Sequence, residues 1–275
     1  MGDLLFDLYF LVYFVSWIGF YFYFKTLKKE ALKYAQIVLG LGFFLHTVFW
    51  GIKAYEIAIL KVLTFKEVLN FLAWSLVLVY FGFSFLSQVK LYTVGFFILP
   101  WVIGCLLLSF FLSSGKVSPF SPYFYNLWFP IHGISGLISH AFLLFGLTTS
   151  IMYILQEREI KKKSLGLFYK KLPPLEYLDR ASEISLYLGF LFLSISIITG
   201  AVWSNFVFGD YWRWSSKEVF SLVLWLLYAV LIHQRVVIGW RGKRSAKMFI
   251  LGFGIWFLSF FVINLFTKGF HTYGS

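Results

Sequence analysis

Cysteine is almost missing from this chain. One residue, Cys105, stands among 275, inside an apolar run. No internal disulfide can form, and no CxxC or CxxCH motif occurs. Charge is also scarce: Asp, Glu, Lys and Arg make up 13% of the residues, too few to cover a soluble globule of this length. Acids are the scarcer sign, 12 Asp and Glu against 24 Lys and Arg, giving a net charge of +12. No Asp/Glu cluster falls on one face, and there is no catalytic triad or phosphate loop, which excludes the chemistries built on them. No repeat of 20 to 50 residues is visible, which excludes solenoids. A basic leader is absent too. The first apolar run starts at Leu4 and is long enough to span, so it is expected to be a membrane span rather than a cleaved signal peptide.

What the chain has instead is apolar and aromatic surface: 60% hydrophobic residues and 23% Phe, Trp and Tyr. Only a bilayer can solvate that much. A positive charge this large could suggest nucleic acid, but the basic residues sit in short clusters between apolar runs. Eight runs are long enough to cross: about 4–24, 34–52, 67–87, 91–112, 129–154, 181–203, 219–238 and 247–266. With the N-terminus outside, seventeen of the 24 basic residues fall in inner connections and seven outside, which sets the orientation. The expected fold is therefore an all-α, polytopic helical membrane bundle of about eight transmembrane helices. It forms a single membrane domain over 1–275 with both termini extracytoplasmic. Residues 53–66 are expected to form an interfacial helix, and 155–180, broken by Pro173-Pro174, the one sizeable inner loop.

This topology brings three aromatic and polar segments to the outer face: Ser113–His132, Phe208–Glu218 and Lys268–Ser275. His132 and His271, 139 residues apart in sequence, come to the same depth on either side of a tryptophan-rich loop at about 203–220. Two imidazoles on one face suit the axial positions of one iron. Trp212 and Trp214 offer broad apolar faces, and Arg213, Lys217 and Lys268 could meet carboxylates of an anionic tetrapyrrole. An interfacial aromatic belt accounts for the same residues, and on the residues alone both readings stand. Within the bilayer, His233 lies roughly 20 Å in from the outer start of the seventh span. His46 rises roughly 18 Å from the inner end of the second, so these two do not share an iron. His46 and His140 are expected to serve packing and hydrogen bonding, and Cys105 to pack as a small hydrophobe.

The run Thr199–Arg235, TGAVWSNFVFGDYWRWSSKEVFSLVLWLLYAVLIHQR, resembles the tryptophan-rich "WWD" signature of the cytochrome c assembly family, CcsA (ResC) type. Other stretches resemble the same type in the same order: LHTVFWGIKAY, FLAWSLVLVY, LPPLEYLDRAS, WRGKRSA and the terminal HTYGS. The family pattern is roughly WGxYWxWDPKE, and this chain reads FGDYWRWSSKE. Gly209, Tyr211, Trp212, Trp214, Lys217 and Glu218 match; Phe208, Ser215, Ser216 and Phe220 depart. Loss of the usual Asp at Ser215 removes an acceptor that would fix the loop or bind a cation.

The resemblance implies a haem-handling subunit of a System II cytochrome c synthase. It would move haem b across the membrane and present it to the CxxCH motif of an apocytochrome c for thioether attachment. Gly209, Tyr211, Trp212, Arg213, Trp214, Lys217 and Glu218 would contact the ring. His132 and His271 would hold the external iron, and His233 an iron within the membrane. No nucleophile or base of this chain is required, because the thiols belong to the substrate; the synthase activity would be that of a complex. Because His233 lacks a second ligand here, the resemblance implies a CcsB (ResB)-like membrane partner. It implies a bacterial plasma membrane or a thylakoid membrane, and no nucleic acid. Two alternatives have their own signatures: a bis-His electron-transfer subunit needs histidine pairs at matched depth inside the bilayer, and a System I haem-delivery relative shares the loop but not the HTYGS tail.

Overall fold

The computed structural model describes residues 2–60, 64–86, 91–112, 126–163 and 169–257. Its described residues form eight helices and no strand: α1 (Gly2–Thr26), α2 (Lys29–Leu60), α3 (Phe65–Leu86), α4 (Val94–Phe111), α5 (Trp128–Lys161), α6 (Leu175–Phe208), α7 (Ser216–Val236) and α8 (Lys243–Phe257). Seven of them, α1 to α7, are long and apolar enough to cross a bilayer. Over its described length α8 has 15 residues, and the expected span to 266 runs beyond the described residues. The chain is a multi-pass helical membrane protein, as its composition demands.

Two expectations need correcting. The stretch from Lys53 is not a separate interfacial helix as far as it is described; α2 continues unbroken to Leu60. The inner 155–180 segment is helical at both ends, because α5 runs on to Lys161 and α6 already starts at Leu175. Apolar windows stop where charge begins, but helices do not. The polar turn of α5 is held by Lys161 Nζ on Glu157 at 2.8 Å. Pro173-Pro174 act as a start signal: α6 opens directly after them, where a proline's missing N–H costs nothing. At the other end of α5, Asn126 Oδ1 accepts from the backbone N–H of Trp128 at 3.1 Å and of Phe129 at 3.2 Å, capping the helix.

Contacts divide the chain into two compact units. The first holds residues 1–114 and 155–177. Here α1 and α2 form a tight antiparallel pair, turned through Leu27 at φ +56°, and α4 packs against both α1 and α3. Its core is aromatic: Tyr9, Tyr13, Phe20 and Tyr80 are fully enclosed.

The second unit holds residues 115–154 and 178–275. In it α5 and α6 approach through small residues. Ser139 Oγ donates to the carbonyl of Gly189 at 2.8 Å, and Gly136 faces Ser196. Helix α7 joins α6 through Trp225, whose Nε1 donates to Ser194 Oγ at 2.8 Å. Phe249 of α8 packs on Tyr228 and fills the space beside Gly146.

Candidate functional site

One end of the second unit gathers the start of α5, the end of α6 and the start of α7. On α5, the His132 ring lies against Gly200 of α6, and its Nδ1–H donates to the carbonyl of Ser196 at 2.7 Å. That bond selects the tautomer with a proton on Nδ1 and leaves Nε2 with a lone pair, the arrangement by which a metal-ligating histidine is oriented. Ser196 Oγ in turn donates to the His132 carbonyl at 2.9 Å, so the two helices are cross-tied at this turn.

An aromatic chain leads from this turn to the tryptophan loop. Phe129, one turn before His132, meets Trp203 with ring centroids 5.3 Å apart. Trp203 meets Phe208 edge to face at 5.9 Å, and the Arg213 guanidinium lies 3.5 Å over the Phe208 ring. Phe208, where the family usually has Trp, thus keeps an aromatic platform for the cation.

The loop itself is held in shape by α7. Glu218 Oε2 accepts from the backbone N–H of Ser215 at 2.8 Å and of Arg213 at 3.1 Å. Ser215 Oγ accepts from the Glu218 N–H at 3.4 Å, completing a capping box. This corrects the expectation drawn from the missing Asp: the hydroxyl of Ser215 supplies the acceptor at the helix start, because Ser and Asp are near-equivalent N-caps. Gly209 takes φ +80°, which only glycine adopts without strain. Trp214 takes φ +57°, a left-handed conformation that a bulky residue holds at a cost of about 1–3 kcal/mol. The result is display: Trp214 is 73% and Tyr211 61% exposed. Trp212 is half-buried, edge to face with Trp214 at 6.1 Å. Its indole N–H is buried without a partner among the described residues, a donor left for a ligand. Lys217 is half-buried on the first turn of α7.

The sequence-identified residues are therefore only partly assembled. Gly209, Tyr211, Trp212, Arg213, Trp214, Lys217 and Glu218 form one loop and helix start, and the aromatic chain joins them to His132. His271 lies outside the described residues. His233 is at the far end of α7, about 26 Å along the axis from Ser216 and nearer the helix end than expected. It is exposed, in line with the exposed apolar residues Val219, Val223, Leu226 and Val230. His46 belongs to the first unit and is fully enclosed. Its Nε2 meets Asn70 Oδ1 at 2.9 Å, its Nδ1 meets the Tyr13 hydroxyl at 3.2 Å, and its ring stacks on Tyr9. Both nitrogens are engaged, as expected of a structural histidine. His140 lies two turns beyond His132 on α5, half-buried. Cys105 is buried in α4. Glu67 caps α3 by accepting from Thr64 N–H at 2.8 Å and lies 3.7 Å from Lys53.

Sequence reasoning passed over one cluster. Arg235, 5% exposed, donates to both carboxylate oxygens of Asp179, to Ser245 Oγ at 2.8 Å, and pairs with Glu183 at 3.1 Å. Asp179 also accepts from the Gly242 N–H at 3.0 Å. LPPLEYLDRAS supplies Asp179 to this clamp and WRGKRSA supplies Gly242 and Ser245, while Arg235 ends the tryptophan-rich run. A lone arginine at the end of an apolar span was the available signal.

Among the described residues no three His, Cys, Asp or Glu converge, whereas a haem iron asks a protein for only one or two axial ligands. Comparison with known proteins gives a family. The Cytochrome C assembly protein family matches residues 62–271. The cytochrome c biogenesis protein CcsA of Trieres chinensis is 29% identical, over 96% of this chain and 92% of its own length. CcsA of Heterosigma akashiwo is 30% identical over 76% of this chain and 74% of its own, and CcsA of Synechococcus elongatus 28% over 82% of each. With the tryptophan loop, the capping box and the family match all on one chain, it belongs to the cytochrome c assembly protein family.

Proposed function

We propose that this chain is the haem-handling subunit of a System II cytochrome c synthase. It receives haem b at His233, passes it across the membrane, and presents it on the tryptophan loop with His132 and His271 as axial ligands. Family membership gives the coarse role, cytochrome c biogenesis. The observation that carries the finer reading is the His132 imidazole. Its Nδ1 is tied to Ser196 and its Nε2 is left as a ligand, at the same end of the unit as the two indoles of the loop.

Haem is the substrate, and the chemistry of attachment belongs to it and to the acceptor cysteines. Each thiol adds across a vinyl group: sulfur bonds to one vinyl carbon and the proton goes to the other. The residues of this chain bind and orient. Trp212 and Trp214 give the ring a flat apolar seat, while Arg213 and Lys217 suit its propionates. The Glu218 carboxylate holds the loop rather than the ligand, since it is already bonded to two backbone N–H groups. A pre-shaped loop lowers the orientational entropy that two thiol additions would otherwise require.

A second axial ligand for His233 comes, in this reading, from a CcsB-like membrane partner seated along the exposed apolar stripe of α7. The protein works in the bacterial plasma membrane or a thylakoid, with the tryptophan loop and both termini on the side where apocytochrome c is met. The testing experiment replaces His132 and His271 with Gly. Cytochrome c maturation is expected to fall to background and to be restored in part by added imidazole. Full maturation and unchanged haem content in the double variant would overturn the ligand assignment.

A further inference from the structure

The turn between α7 and α8 is built more firmly than a connection needs to be. It closes back on α7: Val237 N–H donates to the His233 carbonyl at 2.8 Å, and Trp240 N–H to the Gln234 carbonyl at 3.1 Å. Gly239 and Gly242 both take left-handed φ, +75° and +64°. Gly242 N–H is pinned to Asp179, the carboxylate that also holds Arg235. The turn borders a shallow, open depression lined by Ile238, Gly239, Trp240, Arg241, Lys243 and Arg244. Its backbone comes within hydrogen-bond distance of Gln234, the neighbour of His233.

We infer that this turn binds the two propionate carboxylates of haem on its way to His233. The inference rests on the proposed role of His233. The chemistry is that of a dianionic, flat, apolar ligand: two guanidinium groups and an ammonium beside an indole, in a concave site at the end of a span. Arg241 and Arg244 have no carboxylate partner among the described residues, and the Arg244 guanidinium sits 5.8 Å from the Trp240 ring centroid. The other described arginines at this end of the unit, Arg180 and Arg235, are both paired with acids. Basic residues placed only to set membrane orientation need no fixed backbone. The turn that carries Arg241 and Arg244 folds back on the last turn of α7, where Val237 N–H meets the His233 carbonyl, so carboxylates held there leave the ring beside the end of the helix that bears the imidazole.

The test uses the full chain carrying His132→Gly and His271→Gly, so that binding reports the His233 site. The protein is held in phosphatidylcholine nanodiscs and titrated with haem or with haem dimethyl ester, followed by the Soret shift. Free-acid haem is expected to bind about tenfold more tightly than the diester. R241Q/R244Q should erase that preference, and R241K/R244K should keep most of it. If R241Q/R244Q binds haem as tightly as the unaltered turn while His233→Gly still loses it, the inference is wrong and the role of His233 survives. If His233→Gly changes nothing, the parent reading fails instead. A third arm repeats the titration with phosphatidylglycerol in the discs. Retention of anionic lipid that depends on Arg241 and Arg244, with haem affinity unaffected, would assign the turn to lipid headgroups and overturn the inference.

Discussion

Gly200 is where one atom decides the external site. A Cβ placed there would come within 2.6 Å of His132 Nδ1, too close for the imidazole to keep its bond to Ser196. Gly200→Ala should therefore behave as a mild His132 lesion, with an overpacking cost of about 1–3 kcal/mol that the ring relieves by turning away. Protein level should hold while haem at the external site and cytochrome c maturation fall, measured by the reduced α-band of membranes. Undiminished maturation would show that the ring position is not critical. His46 is the contrasting case. Its removal strands Asn70 and Tyr13 in a closed core, so His46→Ala should cost about 2–4 kcal/mol, read as a lowered midpoint of denaturation in detergent. The haem content of the folded fraction should be unchanged. The sequence already set His132 at the outer rim and His46 within the bilayer as a packing residue. It could not show Tyr9, Tyr13 and Asn70 around His46, because contacts between helices leave no trace in the spacing along one of them.

At the scale of the element, the start of α7 carries the loop. Ser215→Ala removes a cap worth about 1 kcal/mol, whereas Ser215→Asp should be neutral or slightly stabilising, since Asp caps as well and adds a favourable charge at a helix N-terminus. Glu218→Gln weakens the acceptor for two backbone N–H groups and should loosen the loop more than either. The check is haem affinity of the purified protein, ordered Ser215→Asp, wild type, Ser215→Ala, Glu218→Gln from tightest to weakest. A Glu218→Gln protein with wild-type affinity would mean that the loop is shaped elsewhere. The signal for this cap was present as S-x-x-E immediately before an apolar run. Comparison with the family's Asp drew attention to what Ser215 lacked and away from what its hydroxyl supplies. Helix ends were hidden for a related reason: apolar windows locate the bilayer-spanning part of α5 and α6 but not their polar turns, which hydrogen bonds and ion pairs extend.

For the whole molecule, one buried clamp ties distant stretches of chain together. Arg235 meets Asp179 and Glu183 of α6 and Ser245 of α8, so three helices of the second unit depend on one guanidinium. Asp179→Ala strips a buried cation of a partner and should cost about 3 kcal/mol, seen as a sharp drop in folded protein in the membrane. Two motifs that looked independent along the chain meet in space, and only the fold could show that. The orientation is proposed from charge alone and makes its own prediction. In a Cys105→Ala background, single cysteines at Asp3 and Ser275 should react with an impermeant maleimide from outside intact cells, and one at Lys161 only after permeabilisation. Labelling at Lys161 from outside would invert the proposed topology and with it the side on which the tryptophan loop works. The most direct measurement of the central claim is the reduced-minus-oxidised absorption spectrum of the purified protein. A Soret band with α and β peaks, reduced but not abolished on replacing His132 and His271 because His233 keeps its own haem, is the predicted result; a colourless preparation that still supports thioether attachment would contradict it.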